Sequence, residues 1–360
     1  MSSHPVPSAL PIDADLHHVV QGVGAGWDQL RNSAIFVTGG TGIVGKWLLA
    51  TVLRANRERG LNLRVDVLSR HPARFAAQHP ELACDPCLRL IAGDVRTAEL
   101  PDTARYSHLI HAATDVVDAP SPHAVFDTCV QGTRTILDAA NRWGVQRLLL
   151  LSSGAVYGKT PPGLLDIPET FHGSVDSLSP ASAYAEGKRV SELLCAFEQA
   201  RGRMAIPVAR CFAMVGPWLP LDRHFAIGNF IGAALRNEPV IVRGDGTPIR
   251  SYLYLADVAL QLWRLLFDGR GGVACNVGGT EALSIEALAR RVIRVLGVDV
   301  PIRIENHALR EAHADRYCPD TRRIRGDLDL ADVIPLDQAI ARTAAWHRSL
   351  QPHAARTPPA

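Results

Sequence analysis

The chain predicts an α/β fold, a doubly wound parallel sheet with a smaller mixed C-terminal lobe. Three observations point there. Over residues 34–211, short apolar runs alternate with longer amphipathic stretches. A glycine-rich turn, Thr38-Gly39-Gly40-Thr41-Gly42-Ile43-Val44-Gly45, stands between the first such run and the first such stretch. Past Phe212 the pattern loosens into shorter elements separated by Gly and Pro.

Residues 1–32 read as an N-terminal extension: Pro and Ser first, then a short helix after Asp13 or Asp15 that Gly22 and Gly24 break. Strands are expected at 34–37, 64–68, 88–91 and 108–111, with a helix over 43–56. Residues 122–143 form a long amphipathic helix ending near Gly144. Residues 146–151 are a continuous apolar run, as in a strand buried on both faces. A second long helix spans 181–201, capped by Ser179 with Pro180 in its first turn. A strand over 205–211 closes this half. Beyond it come helices at 225–236, 257–267 and 284–296 and strands at 240–242 and 273–277. The strand at 273–277 completes the main sheet of 33–211, residues 212–350 are mainly the lobe, and 351–360 are a frayed tail.

Hydrophobic residues at 47% and charged residues at 21% exclude a mainly disordered chain. A net charge of +2, with basic residues scattered, gives no field to recruit nucleic acid or a membrane surface. No apolar run reaches the roughly 18 residues of a membrane span. The start carries no Lys or Arg before Arg31 and no apolar core of a signal peptide. Seven cysteines without framework spacing favour a reducing, cytoplasmic setting. Cys84-Asp85-Pro86-Cys87 lacks a second pair and reads as a surface loop, so no metal site is expected.

The glycine turn carries the first chemistry. Gly39 permits the tight turn, Gly42 lets backbone approach a pyrophosphate, and Gly45 lets the helix pack on the sheet. Free amides and the positive end of the helix dipole then face the phosphates. This is the fingerprint of a dinucleotide-binding, Rossmann-type domain, with Thr41, Ile43 and Val44 beside the glycines at the cofactor. A carboxylate at the end of the second strand would select NAD, and an arginine NADP. Here that end carries Ser69 and Arg70, which favours NADP through a bidentate guanidinium–phosphate pair. Asp94 and Val95, after the third strand, would face the adenine.

Tyr184 and Lys188 stand four apart near the start of the second long helix, hence on one face. A nearby ammonium favours phenolate, which makes Tyr184 an acid/base tuned by Lys188. Ser152-Ser153 follows the apolar strand at the carboxyl edge of the sheet, where open α/β sheets bind ligands.

With these residues the chain resembles the extended short-chain dehydrogenase/reductases, in particular their nucleotide-sugar epimerase/dehydratase branch. The resemblance spans roughly residues 33–343. It rests on the glycine turn, Gly93-Asp94-Val95, His111-Ala112-Ala113-Thr114, Ser152-Ser153-Gly154-Ala155-Val156-Tyr157-Gly158, Tyr184 with Lys188, and Gly244-Asp245-Gly246-Thr247-Pro248-Ile249-Arg250. It implies a Ser153/Tyr184/Lys188 catalytic triad and an NAD or NADP cofactor lined by Ala112, Ala113 and Thr114. It also implies a lobe holding a nucleoside-diphosphate sugar through Arg250, Arg316 and Asn229, and a homodimer through the two long helices. Phe230 reads equally as core. In the resemblance, 4,6-dehydratases carry Thr-Asp-Glu where this chain has Ser153-Gly154-Ala155, and decarboxylating relatives carry a glutamate at Ala155. Neither Gly154 nor Ala155 transfers protons, which leaves 4-epimerisation or reduction of a 4-keto sugar. Ala213 and Cys129 depart from the family, whose members tend to carry Asn at both places. Two other classes compete: an NADPH-dependent reductase of a non-sugar carbonyl compound, against which Arg250 argues, and a non-catalytic dinucleotide-binding module, against which the intact triad argues.

Overall fold

The computed structural model describes residues 12–114, 121–223, 225–306, 315–330 and 333–350. The tail at 351–360 and residues 1–11 of the extension lie outside them. The first half runs α1 (Asp13–Val23), β1 (Ala34–Thr38), α2 (Ile43–Arg59), β2 (Arg64–Ser69), α3 (Pro72–Gln78), α4 (Pro80–Ala83), β3 (Leu88–Ala92), β4 (His108–His111), α5 (Pro122–Trp143), β5 (Arg147–Ser153), α6 (Ala183–Ala200) and β6 (Val208–Cys211). The second half runs β7 (Met214–Val215), α7 (Ala226–Leu235), β8 (Val240–Val242), β9 (Ile249–Arg250), β10 (Leu253–Tyr254), α8 (Leu255–Asp268), β11 (Ala274–Val277), β12 (Leu283–Ser284), α9 (Ile285–Leu296), β13 (Ile302–Ile304), β14 (Arg316–Tyr317), α10 (Arg322–Asp327) and α11 (Leu336–Leu350).

Seven strands pair in the order β11-β6-β5-β4-β1-β2-β3, all parallel. The order reverses between β1 and β4, and a sheet of this kind opens a ligand crevice at that switch point. Leu148, Leu149 and Leu150 of β5 have no exposed surface, because helices cover both faces of the central strand. The lobe is built from small pairings, β12-β9-β14, β13-β8 and β10-β7.

The described part of the extension belongs to the core. Leu16, Val19, Val20, Trp27 and Leu30 are buried, and the Trp27 ring lies 4.8 Å from Trp263 and 5.6 Å from Phe267. Gly22 does not break α1 but sits inside it; a Cβ there would come within 2.8 Å of the Leu260 side chain of α8. Close helix packing outweighs the roughly 1 kcal/mol that glycine costs in a helix. Gly24, at φ 58°, ends α1. The second long helix opens as a 3₁₀ turn over Pro180–Ser182 and becomes α-helical at Ala183, and the Ser179 side chain makes no capping bond. The fifth strand extends through Ser153, so both serines are strand residues.

His111 ties β4 to its neighbours: Nδ1 lies 2.7 Å from Thr38 Oγ1 of β1, and Nε2 lies 3.1 Å from Thr133 Oγ1 of α5. Burial keeps the ring neutral, pulling its pKa to about 3. The unfolded chain therefore binds this proton near the ordinary histidine value while the folded chain does not, so the contribution is complete above about pH 6.5 and lost as pH falls towards the folded value. His111→Gln, which retains hydrogen bonding, should flatten the loss of urea stability between about pH 6.5 and 4.5 relative to the parent. Parallel pH profiles for the two proteins would refute this role.

Candidate active site

A cleft of ≈ 1050 Å³ opens at the carboxyl edge of the sheet and is roofed by the lobe. It is lined by Gly39, Thr41, Gly42, Ile43, Val44, Gly45, Arg70, Asp94, Val95, Ala112, Ala113, Thr114, Ser153, Tyr184, Lys188 and Arg250. Segments far apart in sequence thus converge on one space.

Steric fit supports a dinucleotide here. Gly39 has φ 71°, and a Cβ on it would lie 2.5 Å from the Ala112 carbonyl. A Cβ on Gly45 would lie 2.2 Å from Gly39 O. Gly42 caps α2 without a side chain, and a Cβ there would meet only Gly39 O, at 3.3 Å. Backbone packs tightly behind the turn and stays open in front, so the first amides of α2 face the cleft. At the end of β2, the exposed Arg70, His71 and Arg74 line the same wall. Asp94 is gripped by Arg96 at 2.7 and 2.9 Å, which holds its carboxyl below the usual range.

At the other end, Ser153 ends β5 and its Oγ accepts from the Ala155 amide at 3.1 Å. Tyr184 sits in the first turn of α6, with Lys188 one turn on. Lys188 Nζ donates to the Leu151 carbonyl at 2.7 Å, and burial lowers its pKa. The expected lowering of the Tyr184 phenol is not what the structure shows. Burial pushes it up to about 12, and the Ser153 hydroxyl offsets only part of the rise. The lysine lies deeper than the phenol, against β5, where its charge serves the strand carbonyl. Burial therefore favours the neutral phenol at ordinary pH.

Behind the serine pair lies a half-buried ionic network. Arg210 of β6 grips Glu192 at 2.7 and 3.0 Å, and Ser152 Oγ donates to Glu192 Oε1 at 2.5 Å. Arg210 also donates to Tyr157 Oη at 3.0 Å, which donates to Asn276 at 2.7 Å. These bonds fix the β5 and β6 ends that present Ser153.

Two expected substrate residues fall outside the cleft. Arg316 donates to Leu165 O and faces Asp166 at 3.7 Å. Its strand neighbour Tyr317 lines the cleft instead, because adjacent strand residues point to opposite faces. Asn229 is exposed enough to donate to Arg223 O at 2.8 Å, while Phe230 is core. Arg250 lines the cleft and also pairs with Asp315 at 2.6 Å. Ala213 lines the cleft, and Cys129 is buried with its Sγ 3.9 Å from Thr114 Oγ1.

Sequence reading missed Tyr317 and Phe212. Their rings pack with centroids 4.5 Å apart, and a Cβ on Gly154 would lie 2.5 Å from the Tyr317 hydroxyl and 2.6 Å from Phe212 Cζ. Gly154 is thus required by a lobe residue over 160 positions away, to which no local signal points.

Fold and site together define an enzyme of the extended short-chain dehydrogenase/reductase type. Residues 35–278 match the model of the NAD dependent epimerase/dehydratase family. The chain is 30% identical over 276 residues to UDP-glucuronic acid decarboxylase 3 of Arabidopsis thaliana, covering 76% of this chain and 78% of that protein. The structure of DesIV, a dTDP-glucose 4,6-dehydratase from Streptomyces venezuelae with NAD and TYD bound, superimposes with a TM-score of 0.74 at 26% identity, covering 88% of this chain and 97% of that one. The epimerase Mth375 of Methanothermobacter thermautotrophicus gives a TM-score of 0.76 at 21% identity, over 91% and 96% of the two chains. The chain belongs to the NAD dependent epimerase/dehydratase family.

Tyr184→Phe should cut turnover by about 10²-fold or more while leaving dinucleotide affinity within about twofold, measured by steady-state kinetics and fluorescence titration. Near-parental turnover would remove Tyr184 from the chemistry.

Proposed function

We propose that the protein moves a hydride at C4 of a nucleoside-diphosphate sugar and releases either the 4-epimer or the reduced 4-keto sugar. One observation carries this reading. Among the described residues lining the cleft, the only carboxylate is Asp94, and Arg96 already holds it. Elimination of water across C5–C6 needs a positioned acid and base there, and Gly154 and Ala155 provide neither.

Tyr184 would pass its proton to the sugar oxygen at C4 as a 4-keto group is reduced; in the epimerase direction it would first give that proton up to solvent and then take the one on the C4 hydroxyl, with Ser153 bonding the same oxygen. Lys188 would steady the end of β5 through Leu151 and reach the nicotinamide ribose. Arg250 would exchange its exposed Asp315 partner for the diphosphate, a stronger bidentate contact. When bound, the nicotinamide supplies or accepts the hydride. Arg70, His71 and Arg74 around the adenosine wall support NADP and hence net reduction. The NAD held by DesIV, itself a 4,6-dehydratase, supports NAD as the cofactor here and so a reaction without net redox, of which the 4-epimerisation is our second reading.

We assign the reaction to the cytoplasm, in keeping with seven unpaired thiols; among the described residues no helix is long and apolar enough to cross a membrane. A homodimer through α5 and α6 is supported by Leu193 and Phe197, which are 52% and 59% exposed on α6. Leu193→Glu with Phe197→Glu should shift the light-scattering mass to that of one chain, whereas a mass that the pair of changes leaves unaltered excludes this face.

Incubation with UDP- and dTDP-hexoses and their 4-keto forms, with either dinucleotide, tests the reaction. The expected product keeps the substrate mass or gains one pair of hydrogens; loss of water or carbon dioxide would overturn the reading. Arg70→Ala should lower the NADP-over-NAD preference about tenfold, and an unchanged ratio excludes Arg70 as selector.

A further inference from the structure

Lys46 is a cleft residue that the reaction scheme above does not use. It lies in α2, one turn beyond Gly42, and its amide bonds Gly42 O at 2.9 Å. Helical side chains lean towards the N-terminus, so the ammonium is carried back towards the mouth of the glycine turn. Its hydrogen-bond partner is the imidazole Nε2 of His79, at 3.4 Å. Glu81 acts on it through space, and Glu81's own contact is with the other nitrogen of His79, at 3.2 Å. The ammonium is half-buried without an intimate carboxylate, and that desolvation brings its pKa to about 8. A desolvated cation facing a cleft is one that an incoming anion stabilises.

The surroundings hold this group in place. The Trp218 ring roofs it, with its centroid 5.8 Å from Nζ. Trp218 has φ 67°, a left-handed backbone that a bulky residue adopts only when its neighbours over-determine it. Those neighbours are Trp47, Trp346 and His79, with ring centroids at 5.7, 5.9 and 6.4 Å. Arg74 and Gln78 of α3 line the same wall.

We propose that Lys46, roofed by Trp218 and steadied by His79, is a phosphate-binding residue of the cofactor site, pairing with a phosphate of the dinucleotide. This rests on the dinucleotide half of the functional reading and not on the sugar. It adds a cationic side chain to a turn that otherwise offers backbone amides and the Thr41 hydroxyl.

The test is binding, without turnover, of NAD, NADP, ADP, 2′,5′-ADP and adenosine to parental protein, Lys46→Met and Lys46→Arg, by calorimetry. Lys46→Met should weaken NADP about tenfold or more, leave adenosine unchanged, and be partly rescued in Lys46→Arg. Equal losses for NAD and NADP, repeated with ADP, place the contact at the pyrophosphate. A loss confined to NADP and 2′,5′-ADP places it at the 2′-phosphate. Either supports the proposal. Parental affinities for both dinucleotides in a Lys46→Met protein with normal melting, or a parental protein that binds neither dinucleotide, would overturn it. Failure with sugar nucleotides alongside a Lys46-dependent dinucleotide affinity would instead overturn only the sugar reading.

Discussion

The approach of two backbones at the sheet's switch point governs the rest of this molecule. The turn at Gly39 presses on the Ala112 carbonyl, and Gly45 presses on Gly39, leaving no room for a side chain at either. Only because β1, β4 and α2 meet this closely does the helix N-terminus point across the carboxyl edge of the sheet rather than into a neighbouring side chain. His111, bonded to Thr38 and Thr133, ties β1 and β4 of this junction to α5. The anion-binding end of the cleft is therefore a consequence of packing.

The reacting end is held by the opposite device, buried polarity. Arg210, Glu192, Ser152, Tyr157 and Asn276 form a connected network under Ser153, and Lys188 bonds the Leu151 carbonyl on the same strand, β5. Such a network is costly to desolvate and costly to break. What it provides is direction. The serine and phenol are presented from rigid strand and helix ends. Tyr184 shows the cost of that enclosure, since burial that keeps water out also keeps its proton on.

The lobe then decides what the site lacks. Tyr317 and Phe212 occupy the volume next to Gly154, so that position has no room for a side chain here. The lack of room there is built into the contact between two domains' worth of chain. It is the structural counterpart of the small residues after Ser153.

The sequence alone determined the parallel sheet and the glycine turn and put Tyr184 and Lys188 on one helix face, because each is written in local periodicity and in spacings of a few residues. It determined too that Ser153, Tyr184 and Lys188 share one edge, since strand ends and helix starts must meet there. Tertiary structure alone decided matters that depend on what arrives from elsewhere in the chain. Gly22 reads locally as a breaker, and only Leu260 of α8 shows it to be a packing site. Arg316 and Tyr317 are equally plausible in a motif, and only the strand's orientation turns the tyrosine inwards. The Tyr184 phenol was expected to be lowered by its lysine, yet depth of burial, which no spacing encodes, outweighed the charge. Short-range order follows from the chain's own pattern; solvent exposure and facing direction follow only from contacts between residues far apart in sequence.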